Sequence, residues 1–106
     1  MMTMGVKLDG DELIDMVYRW LDDIVFPSHT ISVERVAHAG GGSLSVDVNL
    51  LAAGALNVVL DSKAVHNAVD YYIVSCTLGD HYVVRDVALT QNNGEIVISA
   101  TIESVP

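Results

Sequence analysis

Basic residues are scarce in this sequence: 5 Lys and Arg stand against 14 Asp and Glu, a formal net charge of −9. Direct binding to a phosphate backbone depends on clustered Lys and Arg, so no direct contact with nucleic acid is expected. Cysteine is nearly absent. The one residue, Cys76, has no partner for an internal disulfide, and nothing in the chain calls for an oxidising compartment. Apolar runs are short as well. A stretch such as Leu50 to Leu56 falls far below the roughly 20 residues that cross a bilayer. Met1 to Leu8 has neither the basic start nor the apolar stretch of a secretory signal, so the expectation is a cytoplasmic protein with no membrane role.

Familiar chemical signatures are missing too. There is no HExxH helix, paired CxxC, phosphate-cradling glycine loop or nucleophile elbow. His29, His38, His66 and His81 show none of the short fixed spacings that mark metal ligands. Gly40-Gly41-Gly42 runs into an alternating, strand-like segment, whereas phosphate loops run into a helix N-terminus. Cys76 and His81 would face each other across a hairpin if Gly79-Asp80 were its turn, which would activate a thiolate. An unpaired cysteine in an apolar strand is more simply a core residue. No catalytic residue, metal or cofactor is therefore expected.

What is present is enough apolar material to fold. Hydrophobic residues make up 51% of the 106 residues and charged ones 18%, the reverse of a disordered composition. The length fits one domain with one core. Residues 1–8 read as a flexible N-terminus, and 9–106 as a single α+β domain.

The clearest element is a helix over Asp9–Val25. Its apolar residues Leu13, Met16, Val17, Trp20, Leu21, Ile24 and Val25 share one face at the 3.6 period. Asp9 is placed as N-cap, and Pro27 supplies the stop. The period then becomes two. Strands are expected over Thr30–Ala37, Ser43–Leu50 and Ala55–Leu60, with Leu44, Val46, Val48 and Leu50 inward. Ala64, Val65, Ala68 and Val69 fit a short second helix leading into a strand near Tyr71. Tyr71–Leu78, Tyr82–Leu89 and Glu95–Glu103 are rich in β-branched and aromatic residues and predict a three-stranded antiparallel meander. The fold expectation is thus one amphipathic helix on an antiparallel sheet of five or six strands. A faint echo runs through the chain, since His29–Ala37 can be laid on His81–Ala88 with one gap.

Charge supplies the candidate site. Within Asp9–Asp23 six acids meet one base, Arg19. Asp11, Asp15 and Asp22 share the helix stripe opposite the apolar face, with Glu12 and Asp23 flanking. Fixed carboxylates on a rigid helix can meet a basic cleft and speed association with its owner. The expected partner of Asp11, Glu12, Asp15, Asp22 and Asp23 is a basic protein surface, such as that of a protein which itself binds nucleic acid. In size, charge and architecture the chain is like small acidic inhibitors, among them immunity proteins and phage anti-defence proteins, and like small assembly subunits of phages or cells. That likeness carries over no residue.

Two other expectations differ in kind. Val58-Val59, Val83-Val84 and Ile96-Val97-Ile98 place apolar residues on both sheet faces, which points to a homo-oligomer, a self-associating subunit. A helix-in-sheet pocket of the cystatin-like or hot-dog-like kind is the other, with Tyr18, His66, Tyr71 and Tyr72 as its polar groups.

Overall fold

The computed structural model describes residues 2–79 and 81–105, without the side chains of 76–78. β1 (Thr3–Leu8) leads into α1 (Gly10–Trp20), which continues as a π-helical segment, π1 (Leu21–Val25). Then come β2 (Ile31–Gly40), β3 (Ser43–Leu50) and β4 (Gly54–Leu60). α2 (Ser62–Asp70) likewise continues as π2 (Tyr71–Leu78), followed by β5 (Tyr82–Asn92) and β6 (Glu95–Ser104). The six strands form two three-stranded antiparallel sheets, ordered β1-β6-β5 and β2-β3-β4. No helix among the described residues is long and apolar enough to cross a membrane.

The α+β class is as expected, but the six strands form two three-stranded sheets rather than one sheet, and three segments also differ. Residues 3–8, read as a flexible lead-in, form β1 and pair along their whole length with β6. Tyr71–Leu78, read as a strand of the meander, is helical, so the third strand beside β5 and β6 is β1. The helix read as regular to Val25 widens at Leu21, where the Phe26 N–H reaches the Leu21 carbonyl at 2.7 Å, five residues back. That wider turn advances each residue by a smaller angle. Ile24 and Val25, expected on the buried face, are consequently 47% and 40% exposed, while Leu13, Met16, Val17 and Leu21 are buried.

The two halves repeat each other. A shift of 52 residues carries Leu8-Asp9 onto Leu60-Asp61, each the end of a strand and the cap of the next helix. The same shift carries buried Leu13, Met16, Val17 and Leu21 onto buried Val65, Ala68, Val69 and Ile73. It carries Leu44, Val46, Val48 and Leu50 onto Ile96, Ile98, Ala100 and Ile102, the buried rows of the two central strands. Ile31 corresponds to Val84 one residue later, because β2 carries a bulge between His38 and Gly40 that β5 lacks; the β5 bulge between Val84 and Val87 is matched by the β2 bulge between Val33 and Arg35. The unit is therefore strand, helix, π segment, hairpin, twice over. Neither unit completes its own sheet: β1 joins the hairpin of the second unit and β4 that of the first.

All these buried side chains belong to one core cluster, which α1 and α2 share with both sheets. Fully burying a side chain of this size contributes about 1.5–3 kcal/mol, so the core rather than helix propensity holds the elements in place. The hairpin Gly40-Gly41-Gly42 has φ of +85°, +61° and +77°, a run only glycine adopts without strain.

Candidate functional site

The five candidate carboxylates lie on the outer side of α1 and π1, and they are not equivalent. The Asp15 carboxylate accepts from Arg19 Nε at 3.3 Å and from the Tyr72 hydroxyl. Asp23 accepts from the Tyr71 hydroxyl at 2.5 Å, and Tyr71 stands edge-on to Trp20 with ring centroids 6.1 Å apart. Asp15 and Asp23 therefore tie α1 and π1 to π2, and part of their role is structural. Asp11 and Glu12 are exposed in the first turn of α1, and Asp22 is half-buried.

Beside this acidic surface a cavity of about 240 Å³ opens on the seam between the two units. Its apolar walls are Met4, Val6 and Leu8 of β1, Ile73 of π2 and Ile102 of β6. Glu12 and Tyr72 line it as its polar groups, with Asp15 bonded to the Tyr72 hydroxyl behind them. Burial, the hydrogen bond to Asp15 and the charges of Asp15 and Glu12 raise the Tyr72 phenol above its ordinary 10.0, with Arg19 opposing. Tyr72 thus stays a neutral donor across the physiological range.

The 52-residue shift supplies an internal comparison. The walls map onto Leu56, Val58, Leu60, Leu21 and Leu50, again apolar. Around them the chemistry changes: Glu12 maps onto Ala64, Asp15 onto Asn67 and Tyr72 onto Trp20. Apolar walls are common to both units, and the acids belong to one of them.

A larger depression of about 560 Å³ lies elsewhere, on the outer side of the β1-β6-β5 sheet. It is an open trough, formed where Gly5, Ala88 and Ser99 are small, and Lys7 and Asp86 beside it carry opposite charge. Small side chains explain it without a ligand, whereas the smaller cavity brings apolar walls and like-charged groups together.

Among the described residues no three His, Cys, Asp or Glu side chains are grouped closely enough to hold a metal ion. His29 stands edge-on to Phe26 at 6.3 Å. The Cys76–His81 hairpin proposal loses its strand, since Cys76 sits in π2. The Cys76 side chain and Asp80 of the expected turn lie outside the described residues. Of the four residues considered for a helix-in-sheet pocket, Tyr72 lines the cavity, Tyr71 binds Asp23, and Tyr18 is 38% exposed. His66 is half-buried on α2. No protein-family model, curated protein or solved structure matches the chain.

Proposed function

We propose that this chain is a non-catalytic protein-binding module, an inhibitor or adaptor that presents the acidic side of α1 and π1 to a basic surface of a partner protein. The supporting observation is the asymmetry between two otherwise matching units. Asp11, Glu12, Asp15, Asp22 and Asp23 fall on Lys63, Ala64, Asn67, Val74 and Ser75. The second unit has the same elements without carboxylates at these positions, and acids serving solubility alone need not gather on one helix. Their mutual repulsion at i, i+4 is a small cost that a basic partner would relieve. The test is capture from the native host with the wild-type chain and an Asp11→Lys/Asp22→Lys variant, compared at low and high salt. Basic proteins held by the wild type and lost with the variant or with salt support the reading; capture indifferent to both sinks it.

A second reading, self-association, rests on β4. Leu50–Leu60 carries no charge; Val59 is 61% exposed on the edge strand β4, and Leu51, in the turn leading into it, is 83% exposed. β1, the matching edge, has Lys7 where β4 has Val59, and lysine is the usual block against edge pairing. Sedimentation across a wide concentration range tests this. A concentration-dependent dimer abolished by Val59→Lys supports it, and a monomer throughout ends it.

A further inference from the structure

We propose that the seam pocket is the receptor for one lysine or arginine side chain of the basic partner, its aliphatic stem on the apolar walls and its cationic head at Glu12. The inference rests on the acidic-surface reading and gives that surface a specific anchor point.

Three observations narrow the occupant. Size comes first: about 240 Å³ is below the roughly 300–1,000 Å³ of sites that enclose drug-sized ligands or cofactors, and suits a single long side chain. The walls come second. Met4, Val6, Ile73 and Ile102 offer no polar group, so whatever lies along them is apolar over most of its length. Charge is third. Glu12 lines the cavity, Asp15 stands one hydrogen bond behind Tyr72, and the chain as a whole carries −9, which excludes an anion and disfavours a neutral end group. An apolar stem ending in a cation is the chemistry of lysine and arginine, which commonly lay their methylenes on apolar surface while the head stays at the water boundary. Tyr72 adds an aromatic ring of the kind that attracts cations.

The matching place in the other unit has the same apolar residues without the acids. There the acid is replaced by Ala64 and the aromatic is Trp20; Trp20 and Tyr72 both pack against the core cluster. Replacing Tyr72 by the larger residue at its counterpart, Tyr72→Trp, should fill the cavity.

The test titrates the isotope-labelled full chain with N-acetyl-lysine methylamide and N-acetyl-arginine methylamide, read by amide chemical shifts. The neutral control is N-acetyl-norleucine methylamide, and cadaverine represents a free diamine. Expected are saturable shifts centred on Val6, Glu12, Ile73 and Ile102 with at least one cationic probe. Affinity should fall about two- to fivefold in Glu12→Gln, the range of a partly exposed ion pair, and be lost in Tyr72→Trp. Shifts spread evenly over the acidic surface, or equal affinity for the norleucine probe, would overturn the proposal. Tighter binding of cadaverine than of either capped amino acid would replace the partner side chain by a free amine and so overturn it as well. If no probe binds while capture of basic proteins still depends on Asp11 and Asp22, this inference fails and the acidic surface stands. Probe binding alongside capture that ignores those charges gives the converse.

Discussion

Asp23→Ala should destabilise the fold by about 1 kcal/mol, whereas Asp11→Asn should leave stability within about 0.5 kcal/mol of wild type. Both remove one negative charge from the same helical segment, so net charge cannot distinguish them. Asp23 accepts the Tyr71 hydroxyl at 2.5 Å across 48 residues of sequence, linking π1 to π2. A hydrogen bond to a charged acceptor contributes about 1.5–3 kcal/mol when shielded, and exposure here reduces that to about 1. Asp11 is 4 residues before Asp15, and neutralising it relieves about 0.2–0.5 kcal/mol of repulsion. It also gives up a helix-dipole interaction of similar size, so the two effects nearly cancel. Urea unfolding followed by circular dichroism and Trp20 fluorescence reads the difference as a midpoint shift of about 0.3–1 M at unchanged slope. Tyr71→Phe should cost about as much as Asp23→Ala, and the double variant little more than either, a coupling near 1 kcal/mol. Strict additivity, or an Asp11→Asn loss as large as that of Asp23→Ala, would refute the division of the acids into structural and free-facing groups.

Caps, core and the Tyr72 phenol give further measurements. Asp61 caps α2 by accepting the Ala64 N–H at 2.8 Å, while Asp9 makes no side-chain cap bond, so Asp61→Ala should cost about 1 kcal/mol and Asp9→Ala a few tenths in the same urea assay. Ile98→Ala, at a fully buried point of the central strand β6, should cost about 2–5 kcal/mol, whereas Leu51→Ala, 83% exposed, should stay within about 0.5 kcal/mol. Stability should fall with rising pH above about 10, because the unfolded Tyr72 phenol loses its proton before the folded one, whose pKa is raised. That contribution is intact below 10.0, and comparing the alkaline limb of the wild type with Tyr72→Phe isolates it.

The strands were legible wherever one face is buried and the other is not. Leu44, Val46, Val48 and Leu50 alternate with Ser45, Asp47 and Asn49, and Ile96, Ile98, Ala100 and Ile102 form the matching buried row, as the period of two requires. π2 was misread because its local preference opposes its place in the fold. Tyr71-Tyr72-Ile73-Val74 is β-prone, yet Ile73 extends the buried helical line Val65, Ala68, Val69. Tertiary packing prevails there, and Leu21 at the same point of the first unit was the available signal. β1 is illegible for a different reason: Thr3–Leu8 has a strand's alternation, but its pairings run from Leu8↔Ile98 to Thr3↔Glu103, across nearly the whole chain, and no turn announces them. The acids of α1 were visible as a cluster. Their sorting into those bonded to Tyr71 and Tyr72 and those facing outward needed the second unit brought alongside.

Exchange of strands between units bears directly on where a site can form. β1 leaves its own unit to pair with β6, so the N-terminal turn of α1 comes to lie against π2 and the far unit's central strand. The cavity walls therefore draw on both units. The converse exchange, β4 onto β3, sets up the same relation at the other end of the molecule, with equally apolar residues in the matching positions. Matching apolar residues thus stand at both ends by construction, and the side chains around them differ. At one end Trp20, Ala64 and the neutral Asn67 stand around the apolar residues; at the other Tyr72, Glu12 and Asp15 surround the matching walls with a donor and two carboxylates. Glu12→Ala should therefore leave the architecture intact, because the second unit forms the same helix with Ala64 at that place.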